Sequence, residues 1–302
     1  MSDINTLAVI GCGTMGSALI QSIYRKVSSS APKHIILTTA TDKSLEKLRI
    51  KFKIPNANGI SFEFTTNNRL AASKADALLL SCKPDLSLEI LNSIKQDIKD
   101  KLLISIVAGF SNSRLETFSK YTCTIMASIV LSYTSGPISL TMNPSVAARY
   151  GDYLDNLLSQ AGSIILVTED ESDITNAIIG SATAFTLLYV ESLIQGGISK
   201  GLTYDKAKKM TLKMVESTLK MVLTAGESSE ELINALVTPG GTTIDGLLTL
   251  EEGKFRSTVT LDRKLEIRCI LKNDNVRIMH IVFTSDDPDS PGIICTINMI
   301  AN

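Results

Sequence analysis

The chain has 302 residues, of which 44% are hydrophobic and 20% charged, and its formal net charge is −1. This length predicts two domains, because one domain usually takes roughly 100–200 residues. The balanced charge gives no reason to expect nucleic acid as a partner. Five scattered cysteines without a CxxC pair, and only two histidines, argue against a metal site and fit a reducing, cytoplasmic compartment.

Short apolar strands alternate with helices along the first half of the chain. We predict strands at residues 7–10, 34–37, 77–81, 102–107, 123–126 and 163–167. We predict helices at residues 17–26, 44–53 and 86–98, and a helix start at 113–117. This alternation is typical of an α/β domain with a parallel sheet, which we expect over residues 1–168.

The pattern changes after Thr168. Long helices are predicted at residues 169–197, 204–225 and 230–236. Residues 169–260 are therefore expected to form an all-helical second domain. The tail, residues 261–302, is given no definite structure: its parts are strand-like at 275–283, turn-rich at 285–292 and apolar at 293–300.

Residues 121–148 carry no charge but are not expected to cross a membrane. A spanning helix needs about 20 mostly apolar residues, whereas this segment is rich in Ser and Thr and is interrupted by Pro137 and Pro144. We predict buried strand and loop here, and no membrane partner. The start of the chain has Asp3 and no basic segment, unlike a signal peptide.

A glycine motif follows the first strand and opens the first helix: Gly11-Cys12-Gly13-Thr14-Met15-Gly16. In this strand–helix context the spacing is typical of a doubly wound, Rossmann-type dinucleotide site. Gly11 permits a tight turn, Gly13 lets a pyrophosphate approach, and Gly16 allows close helix–strand packing. The alternative is a glycine-rich turn without a ligand.

The end of the second strand bears on cofactor choice. An acidic residue there usually binds the ribose 2′-hydroxyl of NAD, but this chain has Thr38 and Thr39, with Asp42 and Lys43 just beyond. Hydroxyls and a lysine tolerate a 2′-phosphate better, so NADP is preferred and NAD stays possible. The alternative is a solvated turn that caps the next helix.

Two further segments follow strands and are expected to face the cofactor crevice. Cys82, Lys83 and Pro84 follow the strand at 77–81, and Ala108 and Gly109 follow the strand at 102–107. The alternatives are a charged loop ended by proline and a simple turn.

A second loop precedes the last predicted apolar helix: Thr238-Pro239-Gly240-Gly241-Thr242-Thr243-Ile244. Its glycines expose backbone N–H groups that can hold a carboxylate at a helix N-terminus. The alternative is an ordinary helix start, in which Thr242 and Asp245 form a capping box.

Taken together, these motifs resemble those of the pyrroline-5-carboxylate reductase family, which catalyses the last step of proline synthesis. The matching segments follow the family's order over about residues 5–260: residues 11–16, 82–84, 105–109, 191–193, 196–197, 238–244 and 253–256. The resemblance implies a Rossmann domain followed by a helical dimerisation domain, assembled as a homodimer or a ring of dimers. It also implies NAD(P)H-dependent reduction of the imine 1-pyrroline-5-carboxylate to L-proline.

The resemblance further implies residue roles. Thr243 would donate a hydrogen bond to the imine nitrogen. Thr238 and the backbone of Gly240 and Gly241 would hold the substrate carboxylate, with Thr242 beside them. The imine can arrive protonated, so the protein need supply only positioning and electrostatics.

The chain departs from the family's pattern in three places. Met126-Ala127-Ser128 stands where the family has Met-Pro-Asn, and Thr183 replaces a helix proline, which predicts a straighter helix. Residues 261–302 replace an alanine-rich helix. Two alternatives therefore remain: a catalytically impaired paralogue that binds NADP or pairs with an active subunit, and a reductase of another small imine or keto acid. No lysine occurs in residues 174–197, which disfavours the latter.

Overall fold

A computed structural model describes residues 4–25, 31–53, 59–260, 266–272, 276–282 and 294–297. Contacts divide the chain into two compact units, Met1–Thr183 and Ala184–Asn302. Thr168, where the sequence places the domain boundary, caps the helix that follows it through its side chain. The boundary at Thr168 stays a prediction.

The first unit contains an eight-stranded sheet in the order β3-β2-β1-β4-β5-β6-β7-β8. Its strands are β1 Thr6–Ile10, β2 His34–Thr38, β3 Ser61–Thr65, β4 Ala77–Leu80, β5 Leu102–Ser105, β6 Tyr121–Ala127, β7 Gly136–Met142 and β8 Gly162–Leu166. Strands β1 to β6 are parallel and doubly wound, which confirms the predicted fold class. Strand β8 corresponds to the predicted last strand, 163–167, but it runs opposite to β1 to β6, because β7 is antiparallel to β6 and β8 is parallel to β7.

Helices cover both faces of this sheet. They are α1 Thr14–Ile23, α2 Asp42–Lys51, α3 Asn68–Lys74, α4 Pro84–Ile98, α5 Asn112–Leu115 and α6 Pro144–Leu158. Successive side chains of a strand point to opposite faces. Leu7 and Val9 of β1 accordingly pack in one apolar cluster, and Ala8 and Ile10 in the other. Burial on both faces explains why the central strands are continuous apolar runs.

Four elements of this unit, β3, α3, β7 and α6, do not correspond to a strand or helix predicted from the sequence. In β7 the buried side chains include Ser139 and Thr141, so the strand does not stand out as apolar. Pro144 is not a break but the first residue of α6, and the Asn143 side chain accepts a hydrogen bond from the N–H of Val146. Proline is favoured at that position because its missing N–H is not needed there.

The predicted uninterrupted helix at 169–197 is wrong in one respect. Helix α7, Glu169–Thr175, and helix α8, Ala182–Ser199, are joined by a π-helical turn, Asn176–Ser181. The Thr183 hydroxyl lies 3.0 Å from the Ser128 hydroxyl. The replacement of proline by threonine is therefore accompanied by a π turn and a side-chain bond rather than by a straight α-helix.

The second unit continues with helices and ends in strands. Helix α9, Tyr204–Ala225, has the predicted bounds, and α10 Ser229–Leu236, α11 Thr242–Glu252 and α12 Phe255–Val259 follow. Three tail strands, β9 Glu266–Lys272, β10 Val276–Val282 and β11 Ile294–Ile297, form an antiparallel sheet in the order β11-β10-β9. The predicted turn-rich segment, 285–292, lies outside the described residues.

The helical part of the second unit buries little apolar surface of its own. Its apolar cluster consists of Val190, Ile194 and Ala207. By contrast, Leu188 is 68% exposed and Leu223 is 84% exposed. Exposed apolar surface of this extent is typical of an interaction face.

We predict that Gly162→Ala destabilises the first unit. Gly162 lies opposite Gly136 in the β7–β8 register, and an added Cβ would overlap the Gly136 carbonyl oxygen. Overpacking should lower the free energy of unfolding by about 2–3 kcal/mol, measured by urea unfolding. The matched control is Gly151→Ala in α6, where a Cβ would meet nothing within 4 Å. Equal unfolding midpoints for the two variants would contradict the register.

Candidate active site

The loop between β1 and α1 is held against the ends of two neighbouring strands. Gly11 has a positive φ of +71°, and an added Cβ would lie 2.5 Å from the Cβ of Cys82, which follows β4. On the other side, the Cys12 N–H donates to the Thr38 carbonyl at 2.7 Å. Gly11 is therefore required both by its backbone conformation and by the closeness of β4.

Two other glycines of the loop have different reasons to lack a side chain. A Cβ at Gly16 would lie 2.5 Å from the Ser81 hydroxyl, so this glycine allows α1 to pack against β4. A Cβ at Gly13 would have no protein atom nearer than 4.0 Å. Packing within the described protein does not require a glycine at this position. The open surface at Gly13 fits a pyrophosphate, which needs close approach to the backbone.

The start of α1 offers free hydrogen-bond donors. Gly13 precedes the helix and provides no side-chain cap, and no acidic residue occurs in the first turn. Ser17 is the first residue whose N–H bonds to the Gly13 carbonyl. The N–H groups of Thr14, Met15 and Gly16 therefore have no partner within the helix. These donors and the helix dipole favour a bound anion.

The two threonines predicted to contact the ribose are already engaged inside the protein. Thr38 is fully buried; its hydroxyl accepts from the Gly11 N–H at 3.0 Å and donates to the Asn68 side chain at 2.6 Å. The Thr39 hydroxyl donates to the Thr41 carbonyl at 3.0 Å. Thr38 thus links the loop after β1 to the Asn68 side chain. Asn68 was not predicted from the sequence; its position shortly after the alternating strand β3 is the signal that indicates it.

Exposed polar groups occur a few residues later in the chain, at the start of α2. Thr41 is the helix cap and accepts a hydrogen bond from the Ser44 N–H. Thr41 and Lys43 are exposed, and neither Thr38 nor Thr39 supplies a carboxylate. Asp42, between Thr41 and Lys43, is exposed as well, so the start of α2 offers a hydroxyl, a carboxylate and a cation, whereas the strand end itself has no acidic residue.

The thiols near the loop are neutral. Burial raises the pKa of the Cys12 thiol to about 11, and burial also raises the pKa of the Cys82 thiol. A neutral thiol does not repel a phosphate. Pro84 is the first residue of α4 and Lys83 is its exposed cap. Among the residues that the structure describes, no group of three or more His, Cys, Asp or Glu could hold a metal ion.

A cavity of about 400 Å³ opens beside the carboxyl ends of β5 and β6. Ala108 and Gly109 line it from the loop after β5, Met126 lines it from β6, and Asn176 lines it from the π turn. Gly109 is exposed, with a φ of +75°. Ligands of open α/β sheets bind outside the carboxyl ends of the strands, so this cavity is a candidate for the reactive end of a dinucleotide.

The predicted substrate loop lies in the second unit, between α10 and α11. Gly240 has a φ of +70°, and the Gly241 N–H donates to the Thr238 carbonyl at 3.0 Å. A Cβ at Gly241 would lie 2.5 Å from the Thr238 hydroxyl. The loop is thus a tight turn with one of its N–H groups already engaged.

The helix after this turn starts without a side-chain cap. Gly241 is the cap residue and Thr242 the first helical residue, so the alternative capping box of Thr242 and Asp245 is wrong. Thr242 and Thr243 are exposed. Uncapped N–H groups and a free threonine hydroxyl can bind a carboxylate and a neighbouring polar atom. The roles assigned to these residues stay predictions.

One helical run among the described residues, Glu169–Ser199, is long and apolar enough to cross a membrane by length and composition. A single such helix is weak evidence, because an apolar helix of a soluble bundle meets the same criterion. The Thr175 hydroxyl also lies 3.1 Å from that of Ser139 in β7. The first part of the run is therefore bonded to the sheet.

Comparisons with known proteins agree over most of the chain. Residues 169–261 match the family of pyrroline-5-carboxylate reductase dimerisation domains, and residues 6–109 match the family of coenzyme F420-dependent NADP oxidoreductases. The pyrroline-5-carboxylate reductase of Kluyveromyces lactis is 33% identical over 264 residues, which cover 84% of this chain and 92% of that protein. The enzyme of Aquifex aeolicus is 28% identical over 256 residues, 84% of this chain and 91% of its own.

Solved structures share the architecture. Plasmodium falciparum pyrroline carboxylate reductase, determined with NADP bound, superposes with a TM-score of 0.70 at 25% identity, over 84% of this chain and 92% of that one. The 1-pyrroline-5-carboxylate reductase of Streptococcus pyogenes gives a TM-score of 0.72 at 24% identity, over 84% and 93% of the two chains. The latter likeness concerns the fold alone.

We predict that alanine separates the roles of Gly13 and Gly16. Gly13→Ala should leave the melting temperature unchanged and weaken NADPH binding at least about tenfold, because the methyl group fills space that only a ligand would use. Gly16→Ala should lower the melting temperature, because its Cβ meets Ser81. Fluorescence titration and thermal unfolding measure both effects. Normal NADPH affinity in Gly13→Ala would refute a pyrophosphate at this loop.

Proposed function

We propose that this chain, which belongs to the pyrroline-5-carboxylate reductase family, reduces 1-pyrroline-5-carboxylate to L-proline with a nicotinamide dinucleotide as the reductant. The observation that carries the proposal is the 33% identity to a reductase of that name over 92% of its length. The geometry supports it from both units. The first unit has an open glycine cradle at a free helix N-terminus, and the second has an uncapped helix start behind a Gly-Gly turn.

The reaction asks the protein for positioning and electrostatics. A bound nicotinamide supplies the hydride for the imine carbon, and the nitrogen keeps the proton that the protonated imine brings. The Thr243 hydroxyl can accept a hydrogen bond from that N–H and donate one to the lone pair that forms on nitrogen. Thr243 is exposed, and its hydroxyl makes no hydrogen bond to the described residues, so both capacities of the hydroxyl are available.

The substrate carboxylate is assigned to the turn before α11. The Gly241 N–H is engaged with Thr238, which leaves the N–H groups of Gly240 and of Thr242 as donors. The Thr238 hydroxyl lies over Gly241, at the same turn. An anion at this place gains from the dipole of α11 as well as from the hydrogen bonds.

NADPH is the proposed reductant, with NADH as the weaker alternative. Support comes from the exposed Lys43 and Thr41 at the start of α2 and from the lack of a carboxylate at Thr38 and Thr39. A lysine favours the doubly charged 2′-phosphate of NADP, whereas a carboxylate would repel it. Cys12, Cys82 and Cys123 are free thiols, which suits a reducing, cytoplasmic compartment.

Two copies are proposed to associate through the helical unit, as a homodimer or a ring of dimers. The unit matches a dimerisation domain and leaves large apolar side chains exposed, among them Leu188, Met214 and Leu223. A second copy of the same chain would cover such a face with side chains of the same kind. This also suits the apolar run Glu169–Ser199, which a partner helix can cover in place of lipid.

The proposed function is tested by following NADPH oxidation by the purified protein with pyrroline-5-carboxylate, and separately NADH oxidation. Proline formation in step with NADPH consumption is expected. A folded protein that binds NADPH but does not turn over this imine would refute the proposal. Turnover of only another imine or keto acid would refute it as well.

We predict that Thr243→Ala lowers kcat/KM by about 10- to 100-fold, since a hydrogen bond to a charged group is worth roughly 1.5–3 kcal/mol. Thr243→Ser should keep most of the activity because it keeps the hydroxyl. The matched control is Thr249→Ala in the same helix, whose hydroxyl bonds only to the Asp245 carbonyl. Unchanged kcat/KM for Thr243→Ala would refute the proposed role.

We predict that Lys43→Glu raises the KM for NADPH at least about fivefold, or about 1 kcal/mol, and affects NADH less, since only NADPH carries the 2′-phosphate. Lys47→Glu, also exposed in α2, is the control for the same change of net charge. Steady-state kinetics with both cofactors at moderate ionic strength measure the effect. An equal rise for both cofactors would place Lys43 away from the 2′-phosphate.

A further inference from the structure

The π turn Asn176–Ser181 is an unusual feature of the first unit. It interrupts a helical run of 31 residues, Glu169–Ser199. Isolated π turns inside α-helices are uncommon and occur frequently at functional sites. The turn adds a residue to one helical turn, so it changes which side chains of the run face the sheet.

Two hydroxyl pairs hold the run on either side of this turn. Before it, the Thr175 hydroxyl lies 3.1 Å from that of Ser139 in β7. After it, the Thr183 hydroxyl lies 3.0 Å from that of Ser128, which directly follows β6. Ser128 and Ser139 are buried, so losing either partner would leave a hydroxyl with a desolvation cost.

Ser128 is also held in place by contacts other than the one with Thr183. Its hydroxyl oxygen accepts a hydrogen bond from the Val130 N–H and caps the short 3₁₀ turn Ile129–Ser132. The carbonyl of Leu131 in that turn accepts from the Arg25 guanidinium at 2.8 Å, just after α1. The partner that Ser128 offers to Thr183 therefore has a fixed position.

The turn presents Asn176 to the cavity beside β5 and β6. Asn176 lines this cavity together with Gly109 and Met126. An added Cβ at Gly180 would lie 3.0 Å from the side-chain oxygen of Asn176, so Gly180 leaves room for the amide in the turn. The amide can both donate and accept, which matches the carboxamide group of a nicotinamide.

We propose that Ser128 and Thr183 form a positioning pair that holds the π turn and thereby keeps Asn176 in place to bind the nicotinamide end of the cofactor. The proposal rests on the proposed function only in taking a nicotinamide dinucleotide as the ligand. Without the pair, the turn can relax to a regular α-helix. That change rotates part of the run by about 100° per residue and moves Asn176 out of position.

The test compares two ligands of the full chain: NADPH and 2′-phospho-ADP-ribose, which lacks the nicotinamide. Thr183→Val keeps the shape of threonine and removes the hydroxyl. It should weaken NADPH binding about three- to tenfold and leave the binding of 2′-phospho-ADP-ribose unchanged. Thr183→Ser should bind both ligands as the unaltered protein does. The control is Ser192→Ala in α8, whose hydroxyl bonds only to the Leu188 carbonyl.

A double-mutant cycle shows whether the pair acts through Asn176. Asn176→Ala should weaken NADPH by a similar factor, and the double variant Asn176→Ala/Thr183→Val should be no weaker than Asn176→Ala alone. Additive losses would overturn the coupling. Equal weakening of both ligands by Thr183→Val, or no weakening of NADPH, would overturn the positioning role.

These results do not depend on turnover. If the unaltered protein fails to reduce pyrroline-5-carboxylate while the two ligands still separate the variants as expected, the proposed reaction fails and the positioning pair stands. If the unaltered protein binds NADPH no more tightly than 2′-phospho-ADP-ribose, the cavity makes no favourable contact with a nicotinamide and the inference is wrong.

Discussion

The close approach of the loop after β1 to the end of β4 is the constraint on which the nucleotide site depends. The sheet order makes these two strands neighbours, and Cys82 and Ser81 lie where side chains at Gly11 and Gly16 would be. A Cβ at either glycine would push the loop and α1 away from the sheet. Because neither glycine has a Cβ, the first turn of α1 stays at the strand ends with its N–H groups free. The third glycine, Gly13, leaves open space for a ligand.

Hydrogen bonds between hydroxyl groups fix the far side of the site, whereas apolar packing fixes its centre. Strands β6 and β7 are antiparallel, and Ser128 and Ser139 bond from their region to the helical run Glu169–Ser199. Hydrogen bonds define distance and direction more strictly than apolar contacts do. Hydrogen bonds of this kind can therefore hold the π turn, in which the helical run departs from regular α-helical register.

The second unit carries Thr243, the proposed ligand of the imine nitrogen, but has little core. Its cluster of Val190, Ile194 and Ala207 is small beside the two clusters that cover the sheet of the first unit. Hydrophobic burial is the dominant favourable contribution to folding. Association of two copies would therefore stabilise the unit that holds the proposed substrate loop, and the order of that loop would depend on protein concentration.

The sequence by itself determined the features that rest on local pattern. Strands buried on both faces are continuous apolar runs, the spacing of Gly11, Gly13 and Gly16 predicts a phosphate loop, and the bounds of helix α9 follow from its sequence pattern. Only the tertiary structure decided the features that depend on a distant partner. The sequence does not mark Ser139 as a strand residue, and its buried hydroxyl is explained only by the pairing with Thr175. The Thr38 hydroxyl, predicted to contact the cofactor, is bonded to Gly11 and Asn68. The reversal of β7 and β8 and the π turn belong to the same class, because strand direction and helix register are set by pairing across the fold, which a local pattern does not contain.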